Sequence, residues 1–266
     1  MKKLFGRRRP SFAENGDAVG KTLHKELTFT ALEQYKLLRT NLDFMLPPDV
    51  ECPIIGVTSS TCGEGKSTTA VNLSYVIAEK GSRVLLIDGD LRLPSVAKKM
   101  KLSAEKGLTD LLMSKETDLS AFRSELLENW YVIPSGEIPP NPSELLGSDR
   151  MRDLLERLRS QFDYIVIDLP PVNMVSDALS VSCFLTGMLV VVREEYTLKK
   201  ELDACLRSLK LSGVRLLGCV MNASRAGHGR YGNKRKYSYG HDYGYGYGQD
   251  RERAHEGRTE VGAKRS

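Results

Sequence analysis

From residue 28 to residue 45 the apolar side chains Leu32, Tyr35, Leu38, Leu42 and Met45 recur at steps of three and four. That spacing puts one stripe along one side of an α-helix. Pro47-Pro48 ends the pattern, because proline lacks the N–H that a continuing helix needs. Beyond it the period changes. Short apolar runs at 54–58, 84–87, 131–133, 164–167, 188–192 and 216–220 read as strands, with helix-length segments between them. The runs are apolar throughout instead of alternating, which marks parallel strands covered on both faces. The predicted fold class is α/β, a mostly parallel twisted sheet with helices on both faces.

Neither end of the chain carries such a pattern. Residues 1–23 are polar and dotted with glycine, and read as a flexible basic leader. After Asn222 the composition turns to Gly, Tyr, Arg and Lys, and six of the eleven tyrosines fall there: Tyr231, Tyr237, Tyr239, Tyr243, Tyr245 and Tyr247. With no apolar face to bury, 223–266 is expected to be a disordered tail. The domain division is then 1–23, a body at 24–222 that opens with the helix at 24–46, and 223–266.

A chain of 266 residues, 41% hydrophobic, suits one large core. The net charge of +5 is modest. Its basic residues bunch at Lys2, Lys3 and Arg7-Arg8-Arg9 in front and at Lys234-Arg235-Lys236 behind. These are read as solvated segments, with an anionic membrane surface as the other use and no nucleic-acid partner expected. Cys52, Cys62, Cys183, Cys205 and Cys219 are odd in number and form no CxxC pair, which argues against a disulfide framework or a zinc site and for a reducing compartment. Arg7-Arg8-Arg9-Pro10 interrupts any signal peptide, and no run approaches the roughly 20 apolar residues of a membrane span. The expected location is the cytoplasm. His24, His228, His241 and His255 lack metal-ligand spacing.

The strongest chemical signal is Ser60-Thr61-Cys62-Gly63-Glu64-Gly65-Lys66-Ser67, which follows the strand at 54–58 and opens a helix near Lys66. Such a loop turns backbone N–H groups and a helix N-terminus toward phosphate, with Lys66 reaching the β- and γ-phosphates and Ser67 binding magnesium. Cys62, Gly63, Glu64, Gly65, Lys66, Ser67 and Thr68 are therefore the candidate nucleotide-binding residues, although Ser60 stands where the motif has its first glycine. Cys62 reads as a tolerated small residue, with oxidation as the alternative use. Asp88 and Asp90 arrive at the carboxyl end of one strand, and Asp168 ends another, followed by Leu169-Pro170-Pro171. In an open α/β sheet that end faces the ligand crevice, and Asp168 has the context of a Walker B metal ligand.

Leu86-Ile87-Asp88-Gly89-Asp90-Leu91-Arg92-Leu93-Pro94 resembles the Walker A′ motif of bacterial tyrosine kinases, the capsular and exopolysaccharide biosynthesis family within the P-loop NTPases. The resemblance extends to Glu33-Gln34-Tyr35-Lys36-Leu37-Leu38-Arg39, the phosphate loop, Ile133-Pro134-Ser135-Gly136, Pro139-Pro140-Asn141-Pro142-Ser143-Glu144-Leu145-Leu146, the Walker B strand and the tyrosine tail. Lys36 stands where that family's helix usually has arginine.

The resemblance implies ATP and Mg²⁺ as cofactors, Ser67, Asp168 and Asp90 at the metal, and Asp88, Asp90 and Lys66 as catalytic residues. Asp88 would be the base and Asp90 the assistant, with the exchanged roles left open, and Asn222 would contact adenine. It also implies that Glu33, Lys36 and Arg39 build a homo-oligomeric, octameric ring in which one subunit phosphorylates the tail tyrosines of the next. A membrane adaptor resembling polysaccharide chain-length regulators, a cognate tyrosine phosphatase and substrates in polysaccharide synthesis complete the implied partners. Two rivals remain at this level: a partitioning or septum-positioning ATPase, which would carry a lysine early in the loop and leaves the tyrosines unexplained, and a nucleotide-regulated scaffold.

Overall fold

The computed structural model describes residues 27–114 and 118–223. The leader, the six tail tyrosines and all four histidines lie outside the described residues. In chain order the elements are α1 (Phe29–Met45), β1 (Ile54–Ser59), α2 (Lys66–Glu79), β2 (Val84–Asp88), α3 (Val96–Met100), α4 (Leu108–Met113), β3 (Trp130–Ile133), α5 (Pro142–Leu146), α6 (Asp149–Arg159), β4 (Tyr164–Asp168), α7 (Asp177–Ser180), β5 (Gly187–Arg193), α8 (Lys199–Leu211) and β6 (Leu216–Asn222). All six predicted strands form. Most run one or two residues past the apolar stretch, so that Asp88, Asp168 and Asn222 stand on their last rungs.

The strands make one sheet in the order β3-β2-β4-β1-β5-β6, and every pairing is parallel. Because successive strand side chains point to opposite faces, the apolar runs split into two cores. Ile54, Leu85, Ile87, Ile165 and Ile167 face the layer that includes α4 and α6, with Leu112, Leu154 and Leu158 buried against them. Ile55, Val57, Val84, Leu86 and Val166 face the other way, onto Val71, Leu73, Val76 and Ile77 of α2. Enclosed by the sheet, α1 and the strand-connecting segments, α2 is buried nearly all round.

The amphipathic stripe of α1 lies where its period predicts. Leu42 is fully buried, and Leu32, Tyr35, Leu38 and Met45 pack against the α2 side of the core. The Thr28 hydroxyl accepts a hydrogen bond from the Ala31 N–H, so the helix begins at Phe29, later than the residue 24 expected for this segment. No described helix is long and apolar enough to cross a membrane.

Candidate active site

Parallel pairing brings the motif-bearing strand ends side by side. In the ladder Asp88 lies opposite Asp168, Val57 of β1 also pairs with Asp168, and Arg193 lies opposite Asn222. The carboxyl ends of the central strands thus deliver the phosphate loop after β1, the two acids around the end of β2 and the acid ending β4 into a single crevice. There a cavity of about 650 Å³ is lined by Gly63, Gly65, Lys66, Ser67, Asp90 and Asn222, among others. Cys62 and Thr68 line it as well.

The loop holds its shape through contacts that explain its sequence. Gly65 begins α2 with φ of +97°, and a Cβ there would stand 1.9 Å from the Asn222 amide nitrogen. Only glycine meets both demands. Asn222 in turn donates to the Glu64 carbonyl at 2.9 Å, so it braces the loop as well as lining the cavity. Ser60, at the position of the missing glycine, is not among the described residues with positive φ. Its hydroxyl donates to Glu64 Oε1 at 2.7 Å, while the Thr61 N–H donates to Oε2 at 3.0 Å. The carboxylate is fully buried and ties the loop to itself, leaving only its backbone for a nucleotide.

Lys66 is the electrostatic centre. Its ammonium sits 2.8 Å from Asp90 and 3.5 Å from Asp168. Burial works to lower its pKa, but Asp168 and Asp90 outweigh that and hold it above the ordinary lysine value. Asp168 is fully buried, and its pKa is raised by desolvation against the opposing pull of Lys66 and a Ser67 hydrogen bond. One of its oxygens, Oδ2, is buried with no hydrogen-bond partner. An orphaned carboxylate oxygen is costly, and a divalent cation is the group that would satisfy it. Together with the Ser67 hydroxyl it offers the hard oxygen donors that Mg²⁺ takes from a protein before phosphate and water complete the shell.

Asp88, which ends β2, and Asp90, two residues beyond it, take different places. Asp90 lines the cavity. Asp88 is fully buried, with Oδ2 accepting the N–H groups of Ser95 at 3.1 Å and Val96 at 3.0 Å and Oδ1 accepting that of Asp90 at 3.3 Å. Desolvation, then the charge of Asp168, pushes its pKa up to about 7. In this geometry Asp88 holds the segment after β2, and Asp90 lines the cavity.

Several residues of the crevice were missed by sequence reasoning. Arg92 grips the buried Asp177 with two bonds, 2.9 Å from Nε and 3.0 Å from Nη2, and reaches Ser143 at 3.3 Å. The Ser143 contact ties the Pro142–Leu146 helix to the cavity rim, and the Arg92–Asp177 link spans 85 residues of chain, which no local pattern reveals. Arg193 donates to the Gly63 carbonyl at 3.1 Å and stacks on Tyr196, whose hydroxyl donates to the Cys62 carbonyl at 3.0 Å. Lys99 also lines the cavity. The sequence motifs contain Arg92 and Ser143 but not Asp177 and do not show that they meet, and nothing in the sequence marks Arg193 or Lys99.

On α1 the three expected contact residues do not share a face. At three-residue steps a 3.6-residue helix drifts about 60° per step, so Arg39 stands roughly 120° from Glu33. Lys36 pairs with Glu33 at 3.0 Å near the surface. Arg39 turns inward and donates to the Val76 carbonyl of α2 at 2.5 Å.

Residues 52–204 match the AAA domain family. The chain is 37% identical over 201 residues to the tyrosine-protein kinase YwqD of Bacillus subtilis, covering 75% of this chain and 84% of that one. It is 38% identical over 213 residues to the tyrosine-protein kinase CpsD of Streptococcus pneumoniae, covering 78% and 92%. Among solved structures, the kinase domain of the Escherichia coli tyrosine kinase ETK superposes with a TM-score of 0.68 at 33% identity, covering 79% of this chain and 80% of that one.

Proposed function

Because the chain belongs to the bacterial tyrosine kinases of the P-loop NTPase superfamily, we propose that its crevice takes ATP with Mg²⁺ and transfers the γ-phosphoryl group to tyrosines of its own tail, between subunits. The observation that carries this reading is Lys66 held between Asp90 and Asp168 at the mouth of the phosphate loop, beside the unpaired Asp168 oxygen. A lysine so placed exchanges one set of anions for another. When phosphates enter, its ammonium moves to them and Asp90 is released.

The backbone of Gly63–Lys66 and the first turn of α2 cradle the phosphates, and Asn222 stands at the edge where a base would lie. Ser67 and Asp168, with Asp90 beside them, hold the metal, which spreads the charge of the transferring group. A tyrosine hydroxyl, with pKa near 10, needs alignment and a proton acceptor. Asp90, freed from Lys66 and facing the cavity, fills that role, and Asp88 positions it. The exchanged assignment rests on exposure, since a base must reach the proton it takes.

Tyr231, Tyr237, Tyr239, Tyr243, Tyr245 and Tyr247 are the proposed acceptors, offered by a glycine-rich segment that enters a cleft at low steric cost. The leader, body and tail division, an octameric ring using the Glu33–Lys36 surface of α1, recruitment from the cytoplasm to the membrane by an adaptor, reversal by a phosphatase and a role in capsular or exopolysaccharide synthesis belong to the same proposal. A partitioning ATPase is not favoured, because the relatives named above are tyrosine kinases. Incubation of the full chain with ATP and Mg²⁺, followed by mass-spectrometric mapping, tests the reading. Phosphotyrosine within 231–247 is expected. Phosphate mainly on Tyr35, Tyr75, Tyr131, Tyr164 or Tyr196, or none at all, would overturn the tail as substrate.

A further inference from the structure

Four cationic side chains line the cavity: Lys66, Arg92, Lys99 and Arg193. Three of them are already held. Lys66 has Asp90 and Asp168, Arg92 has Asp177 and Ser143, and Arg193 has the Gly63 carbonyl and the Tyr196 ring. Lys99 alone makes no side-chain hydrogen bond or ion pair among the described residues. It is half-buried, so its ammonium has given up part of its water without gaining a partner. A cation in that state is costly, and the cost is recovered when an anion arrives.

The segment carrying Lys99 is rigidly placed. Ser95 and Val96 donate their N–H groups to Asp88 Oδ2 at 3.1 and 3.0 Å, and the Lys99 N–H bonds the Ser95 carbonyl at 3.0 Å. The turn that presents Lys99 is thus bolted to the buried acid next to Asp168. Burial lowers the Lys99 pKa, with the charge of Asp168 opposing and that of Lys66 assisting. Both lysines therefore sense the same acid, and Lys99 reaches the crevice from α3, while Lys66 comes from the loop and α2.

We propose that Lys99 is a further catalytic residue of the transfer, contacting the equatorial oxygens of the phosphoryl group as it moves from ATP to tyrosine. This rests on the reading of the cavity as an ATP site. In the step, the bond from the γ-phosphorus to the β–γ bridging oxygen breaks and its electron pair stays on ADP. The tyrosine oxygen forms the new bond to phosphorus, and its proton passes to Asp90. Charge on the three equatorial oxygens changes most midway, when neither axial bond is complete. A cation that is free in the ground state and fixed by its backbone stabilises that arrangement without first breaking another contact.

The test measures calorimetric binding of ADP with Mg²⁺ alone and of ADP with Mg²⁺ and aluminium fluoride, a mimic of the transferring group, for the full chain and for Lys99→Ala, Lys99→Gln and Lys99→Arg. In Lys99→Ala and Lys99→Gln, ADP affinity is expected to stay within about twofold. The added tightening with aluminium fluoride and the rate of tyrosine phosphorylation should fall roughly a hundredfold, the scale of one lost donor at a developing charge. Lys99→Arg should recover most of both. Unchanged tightening and rate, equal loss of ADP and mimic binding, or a change confined to the KM of a tyrosine peptide would each overturn the assignment. Failure of the wild-type chain to bind ADP with Mg²⁺ would instead overturn the ATP reading itself, whatever Lys99 does.

Discussion

The strand ends and the outer helix α1 both carry charged residues at short spacings, yet the charges behave in opposite ways. At the strand ends and the loop after β1, Asp88, Asp168 and Glu64 are fully buried, and Lys66 is partly so. On α1, Glu33 and Lys36 form a half-exposed pair. Coulomb energy scales inversely with the local dielectric, so each charge in the crevice is set by its neighbours, while a surface pair contributes little. The same contrast applies to replaceability. The loop's Ser60, Thr61 and Glu64 hold one another, so loss of one orphans another, whereas α1 leaves Phe29, Leu37 and Phe44 exposed.

The largest expected effect comes from removing the centre of the crevice. Lys66→Ala should lower tyrosine phosphorylation by at least about 10³-fold, since the phosphates keep only backbone donors and the acids lose their counter-charge. Phosphotyrosine formation and circular dichroism measured together check this. Full activity with a normal spectrum would place the crevice charges on a par with those of α1.

A smaller effect tests Asp88 by pH. The ordinary aspartate value of 3.8 becomes about 7 at Asp88 in the folded chain. Between those values the unfolded chain has released a proton that the folded chain retains, so this group's contribution to stability falls as pH rises from about 4 to 7. Asp88→Asn should therefore gain stability relative to wild type over that window, in urea unfolding at pH 5 and pH 7.5, while phosphorylation still drops because the Asp90–Val96 segment loses its acceptor. A constant difference between the two proteins would show that Asp88 titrates as an ordinary exposed acid.

The smallest effects fall on α1 and sharpen the contrast within it. Arg39→Ala should cost about 1–3 kcal/mol, as it removes a charged donor from the Val76 carbonyl. Lys36→Ala should stay within about 0.5 kcal/mol. Chemical denaturation distinguishes them, and light scattering of the same variants asks which one changes assembly. Equal and negligible costs would return Arg39 to the surface beside Glu33 and Lys36.

Much of this molecule was legible before any coordinates. Six apolar runs became six strands, and the Leu32-to-Met45 stripe became the buried side of α1, because periodicity and burial are one property seen twice. The loop from Ser60 to Ser67 was readable because its function requires local chemistry, a glycine at positive φ and a lysine at the helix start. What the residues of the loop do for one another was not readable. Glu64 sits in the middle of a phosphate-binding motif, yet its carboxylate bonds Ser60 and Thr61 and faces away from the cavity.

Local patterns along the chain fixed the α/β class, the strand positions, the phosphate loop and the acids that end β2 and β4. Each of those is encoded within a dozen neighbouring residues, where hydrophobic period, glycine and charge act through the backbone directly. It took the packed fold to show that Asp90, not Asp88, faces the cavity, that Arg92 belongs to Asp177, that Arg39 points inward and that Lys99 stands unpaired in the crevice. Those outcomes depend on which strands lie side by side and on which side chain reaches a buried partner first. Such contacts join positions far apart in the chain, and their energies exist only once water has been excluded between them.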